Sequence, residues 1–240
     1  MRVFGVVLAA LLWFSGVAGA SALTLTKQSS SIFGPNGGKS TVSNISNRSG
    51  TFYAGGFRLN DGVSDLIAWC LDVTSNIDLS FNYEITNTPF TNSVSLGPTR
   101  LANIENLFET SYATLDLTNS ALGNAQSAGF QMALWELVYE GLGNPFDVTS
   151  GSWSVQSSTS AENWANTFLA NLGGPITQQY KLAFYQSDDV SYWRHGRLKT
   201  KHSQNLVSVT PVPVPAAGLL LGAGLVGLYG ASRRKAKRAA

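Results

Sequence analysis

One cysteine constrains this chain more than any other residue. Cys70 stands in Ala68-Trp69-Cys70-Leu71-Asp72, and a lone thiol closes no internal disulfide. A domain folded outside the cell on this sequence must therefore be held by its core and its backbone hydrogen bonds. Further along, a glutamine falls where glutamine is costly. Wound at about 100° per residue, Ala125 to Glu140 sets Leu137, Phe130, Leu134, Val138, Gln131 and Trp135 in that angular order on one arc. Gln131 lies inside the apolar face. Glu136 and Glu140 fall together opposite it and are expected to be solvated, which fixes the phase of the helix. A carboxamide buried without partners costs roughly 1 to 3 kcal/mol, and a lone thiol and a buried glutamine are the ingredients of an internal thioester. The competing reading is that Cys70 packs as a small hydrophobe while Gln131 bonds to a neighbouring loop.

Both ends read as address labels. Arg2, the apolar run Val3 to Phe14 and the small residues Ala20-Ser21-Ala22 mark residues 1–22 as a signal peptide, cut before Leu23. At the other end, Val212-Pro213-Val214-Pro215-Ala216 precedes an apolar stretch from Ala217 to Ala231 and the cations Arg233, Arg234, Lys235, Lys237 and Arg238. That stretch is shorter than the roughly 20 residues of a full span, and the basic stop behind it would stay cytoplasmic. Residues 211–240 resemble the PEP-CTERM sorting signals of Gram-negative bacteria, in the variant built on Val-Pro-Leu-Pro-Ala, with Val214 in place of Leu. The resemblance implies a transmembrane sorting helix and processing by an exosortase, a membrane transpeptidase that cuts at the Pro-containing motif and moves the protein onto a surface component. The alternative is an ordinary C-terminal membrane anchor. Either places the folded part outside the inner membrane, at the cell surface or in the extracellular matrix.

Charge changes sign once these ends are set aside. Arg2 and the five tail cations leave ten Lys and Arg against fourteen Asp and Glu, a net charge of −4, which argues against nucleic-acid binding. One Cys and two His, His195 and His202, cannot furnish a closed zinc site, and no cofactor is expected. The remainder suffices for one domain over 23–193, with 194–210 as a linker. Strands are expected over 51–59, with a glycine pair marking a bulge or close approach, and over 66–73, 81–86, 180–186 and 190–193. Between them the period changes to that of helices, over 99–112, 125–140 and 160–172. The expected fold is mainly β (α+β): a β-sandwich with an inserted block of two or three helices over about 99–172.

Two short motifs carry a second resemblance. Cys70-Leu71-Asp72 on a strand, then Gln131-Met132-Ala133-Leu134-Trp135-Glu136 on a helix, is similar to the thioester domains of bacterial surface adhesins. The family commonly has Thr before this glutamine, where this chain has Phe130. The resemblance implies a Cys70–Gln131 thioester, surrounded by Asp72, Phe130, Trp135 and Glu136, that acylates an amine or hydroxyl of a partner once per molecule. Such a protein is a covalent adhesin and not an enzyme. The alternative is a non-reactive structural protein of an extracellular matrix or biofilm. A polysaccharide hydrolase would need two facing carboxylates, and Asp72, Glu136 and Glu140 offer no compelling pair. The basic run Arg194, His195, Arg197, Lys199, Lys201 and His202 reads as a solvated strand edge before the tail, or as a contact for anionic polysaccharide or lipid.

Overall fold

The computed structural model describes residues 22–27, 39–45, 48–91, 94–118, 120–157 and 159–212. The expected signal peptide lies outside them except for Ala22, as do Pro213 to Ala216, the apolar stretch and the basic stop at Arg233, Arg234 and Lys235. Among the described residues no helix is long and apolar enough to cross a membrane.

In chain order the strands are β1 (Leu23–Thr24), β2 (Thr26–Lys27), β3 (Lys39–Ile45), β4 (Arg48–Tyr53), β5 (Phe57–Asn60), β6 (Asp65–Cys70) and β7 (Asn82–Thr86). After the helices α1 (Pro98–Ser111) and α2 (Ala121–Tyr139) come β8 (Ser154–Gln156), α3 (Thr159–Ala170), β9 (Tyr180–Ser187), β10 (Val190–Arg194), β11 (Arg197–Lys201) and β12 (Leu206–Pro211). The class is mixed α+β, with the helical block inserted between β7 and β9 and interrupted by β8.

Seven strands form one antiparallel sheet in the order β1-β7-β9-β12-β6-β5-β2. Its two edges, β1 and β2, are consecutive in the chain and separated only by Leu25, which is 1% exposed. One short run thus pairs with both edges, and the sheet must curl to meet it. A smaller sheet, β4-β3-β8, uses the strand that precedes β5. The run expected as one strand over 51–59 is therefore two strands in two sheets, parted at Ala54-Gly55-Gly56, where the Gly56 N–H leaves the ladder to donate to Ser127 Oγ on α2 (2.9 Å).

Helix α2 starts at Ser120, whose hydroxyl accepts from the Gly123 N–H (2.8 Å), a side-chain cap on the first turn. Every residue from Ala128 to Val138 is buried. A helix enclosed on all sides has no solvated face, and the expected exposure of Glu136 and Glu140 is corrected: both are buried. Gly129 is where α3 comes closest, since a Cβ there would stand 2.7 Å from Trp164 Cβ and 2.8 Å from Ala161 O. Overpacking costs about 1 to 3 kcal/mol, more than the roughly 1 kcal/mol alanine gains in helix propensity. Gly129→Ala is expected to lower the denaturant unfolding midpoint.

The expected linker over 194–210 is not one. Its first part belongs to a hairpin of β10 and β11, and its last part is β12, a central strand between β9 and β6. Charge and exposure in the hairpin gave the segment a linker's composition, while the buried strand that follows is short.

Candidate functional site

Cys70 is the last residue of β6, at the point where the sheet loses a strand on one side. The Leu71 N–H donates to Asn205 O (2.9 Å) on the β12 side, so alternation turns the N–H and C=O of Cys70 toward β5. The β5 ladder has already ended, at Phe57 opposite Ala68. The carboxamide of Gln131 takes the missing position. The Cys70 N–H donates to Gln131 Oε1 (2.8 Å), and Gln131 Nε2 donates to Cys70 O (2.8 Å). A backbone N–H only donates and a carbonyl only accepts, so the amide has one orientation. Gln131, fully buried, completes the ladder as a peptide group would.

The sulfur meets a different glutamine. Cys70 Sγ lies 2.7 Å from Gln204 Oε1 and donates to it, while Gln204 Nε2 donates to Asp72 O (2.9 Å). The Asp72 carbonyl fixes this amide as well, directing its oxygen edge at the thiol. Residues on both sides of Gln204 are clamped. Ser203 Oγ accepts from the Asp78 N–H and from Tyr83 Oη, each at 2.7 Å. The Asn205 N–H donates to Asp72 Oδ2 (3.1 Å), and Asn205 Nδ2 donates to Phe90 O (2.8 Å). Cys70 is 2% exposed, whereas Gln204 is half-buried. The sulfur is dry, and the residue beside it is only half-buried.

The sequence reading thus brought Cys70 and Gln131 together but on the wrong atoms of the cysteine, and it missed Gln204. The only signal for Gln204 is a polar pair, Gln204-Asn205, leading into the apolar Leu206-Val207, which is too common a pattern to stand out.

Burial first, and the Asp72 carboxylate second, push the Cys70 thiol well above its ordinary range. It is protonated at neutral pH, consistent with its donating to Gln204. Of the other residues expected around the site, Asp72 is described above, and Phe130 packs its ring 4.7 Å from Trp69 and 5.0 Å from Phe108. Trp135 meets Trp153 edge-on at 6.5 Å.

Glu136 and Glu140 belong to the far end of α2, where they hold the loop that follows it. Glu140 accepts from the N–H groups of Gly141, Ser152 and Trp153, from Asn144 Nδ2 and from Ser152 Oγ. Burial alone would raise its pKa, but these donors hold it down at about 2. Glu136 accepts one bond, from the Asp147 N–H (2.9 Å), and its Oε2 is buried without a partner. Burial, then the charges of Glu140 and Asp147, push Glu136 up to about 8, against the one bond that lowers it. A carboxyl with a raised native pKa binds more protons folded than unfolded, so stability falls as pH rises from about 4.5 toward 8. Glu136→Gln keeps the acceptor for Asp147 and removes the charge. Thermal unfolding across that window is expected to show a flatter pH dependence for the variant and a gain in midpoint at pH 8.

Among the described residues no cluster of three or more His, Cys, Asp and Glu could hold a metal ion.

No protein-family model matches the sequence, and no curated protein matches it. Among solved structures, the chain is similar to the N-terminal domain of the Streptococcus pyogenes pilus tip adhesin Cpa, with a TM-score of 0.43 at 16% identity over 78% of this chain and 98% of that one. It is also similar to the N-terminal thioester domain of fibronectin-binding protein SfbI from Streptococcus pyogenes, with a TM-score of 0.37 at 15% identity over 76% of this chain and 96% of that one.

Proposed function

We propose that this is an exported, surface-anchored protein whose Cys70 and Gln204 form an internal thioester for one covalent attachment to a partner. The observation that carries the reading is the 2.7 Å contact between Cys70 Sγ and Gln204 Oε1, with the amide orientation fixed by Asp72 O. The sulfur adds to the side-chain carbonyl carbon of Gln204, the carbon–nitrogen bond breaks, and ammonia leaves with the thiol proton. Held geometry supplies the effective concentration for this step, and the Gln131 carboxamide keeps the cysteine backbone in register. The product is a γ-glutamyl thioester. An amine or hydroxyl of the partner then attacks the same carbon, the sulfur leaves and is reprotonated, and an amide or ester remains on Gln204.

A cleft of about 480 Å³ is lined by Ser75, Asn76, Ile77, Asp78, Thr200, Lys201 and His202, the segments that follow Asp72 and precede Gln204. Sorting by an exosortase at the Val212 to Ala216 motif remains part of the proposal, as does display on the cell surface or in the matrix.

Intact mass of the purified protein tests the reading. The thioester removes the mass of one ammonia, and methylamine then adds its own mass at Gln204, mapped by peptide sequencing. A full-mass protein with a thiol that titrates on unfolding, and no methylamine adduct, overturns it. That second outcome would leave a non-reactive matrix protein in which Cys70 and Gln204 merely bond to each other.

A further inference from the structure

The β10–β11 hairpin belongs to neither of the other two sheets. Its strands pair only with each other, and all ten of their residues are exposed. His195 and Gly196 make the two-residue turn with φ of 49° and 71°, the left-handed pair of a type I′ hairpin. Register and alternation then sort the side chains. Val190, Tyr192, Arg194, Arg197, Lys199 and Lys201 share one face; Ser191, Trp193, Leu198 and Thr200 share the other.

The first face is electrostatically incomplete. Arg194 stands directly opposite Arg197, and Tyr192 opposite Lys199. Like charges facing each other across a ladder destabilise it. Lys201 is neutralised by Asp78 at 2.7 Å, but among the described residues no carboxylate pairs with Arg194, Arg197 or Lys199, and no acid occurs in the hairpin. Three cations surround one tyrosine on a solvated two-stranded ribbon, in a region whose net charge is otherwise negative.

We infer that this face binds a linear carboxylated polysaccharide, with Arg194, Arg197 and Lys199 meeting its carboxylates and Tyr192 stacking on a sugar ring. Charge complementarity selects an anionic partner, and the aromatic ring among the cations selects one with an apolar flat face. A membrane fits less well. Its plane meets one face at a time, and the bulky apolar pair, Trp193 at 74% and Leu198 at 59% exposed, is on the face without cations. An interfacial anchor needs apolar residues and cations directed at the same surface.

The site does not depend on the thioester, so the test uses Cys70→Ala protein, in which covalent attachment is impossible. The full chain in a non-ionic detergent is run on immobilised alginate and eluted with salt, beside neutral dextran, phosphatidylglycerol micelles and single-stranded DNA. Retention on alginate but not dextran is expected. Arg194→Ser/Arg197→Ser/Lys199→Ser should lose it, and Tyr192→Ala should elute at lower salt with its charge unchanged. Thermal unfolding, expected to be no lower in the two hairpin variants than in the Cys70→Ala parent, confirms that the domain is intact. Equal retention of wild-type-hairpin and triple-variant protein overturns the proposal, as does equal binding to dextran, or hairpin-dependent binding to the micelles or the DNA without binding to alginate.

Discussion

Gln204→Ala is expected to abolish both the loss of ammonia and the uptake of methylamine, leaving a full-mass protein that reacts with no amine. Gln204→Glu should behave the same way, because a carboxylate is not attacked by a thiol and has no ammonia to release. Cys70→Ala gives the matching null from the other partner. The comparison that discriminates is with Gln131. Gln131→Glu keeps the side chain nearly isosteric but places an ionised acceptor against the Cys70 carbonyl; if the protein remains folded, its mass still reports chemistry at Gln204. A methylamine adduct mapped to Gln131 in the unaltered protein would reverse the assignment of the two glutamines. The atoms predict the opposite, since the sulfur contacts the Gln204 oxygen while the amide of Gln131 is committed to the backbone.

The largest stability effect is expected from Gln131→Ala. Removing the carboxamide leaves the N–H and C=O of Cys70 buried and unpaired at the end of the β5 ladder. At about 1 to 3 kcal/mol for each orphaned group, the loss is about 2 to 6 kcal/mol, a large share of the roughly 5 to 15 kcal/mol that holds a typical domain together. Chemical denaturation should show the midpoint falling steeply with little change in slope. Thioester formation, read by mass at a temperature where the variant is still folded, should also slow because the cysteine has lost the group that holds its register. A variant as stable as the parent would mean that water or a shifted β5 fills the position. Gln131 would then be ordinary packing.

The sequence shows Cys70 and Gln131 as neighbours because each carries a local signal. A lone thiol on an apolar strand and a carboxamide on an apolar arc both stand out against periodicity. What periodicity cannot carry is which atoms meet. A glutamine can complete a ladder or face a sulfur, and the choice depends on where β5 stops, a fact of strand register two residues away from Cys70. Glu136 and Glu140 misled for a related reason. Charge on a helix normally marks the water side, but here the loop after α2 folds over both carboxylates and supplies Glu140 with five donors. Gln204 was hidden by its context. A charged, exposed hairpin stands just ahead of it, and composition averaged over that run describes the hairpin and not the central strand that follows. The helices themselves were legible to within a few residues, since their caps and stops are local: Pro98 at the start of α1, Ser120 ahead of α2 and Gly173-Gly174-Pro175 after α3.

The position of Gln204, immediately ahead of β12 and eight residues before the last described residue, Val212, has a mechanical meaning under the proposed function. A partner joined at Gln204 and a chain tethered by its C-terminal tail would pull on each other through β12 and the tail alone. Tension would run along a short stretch of covalent backbone, and the helices, the small sheet and the rest of the curled sheet would hang outside the loaded line. Such a tether could bear force without unravelling the domain that made the bond.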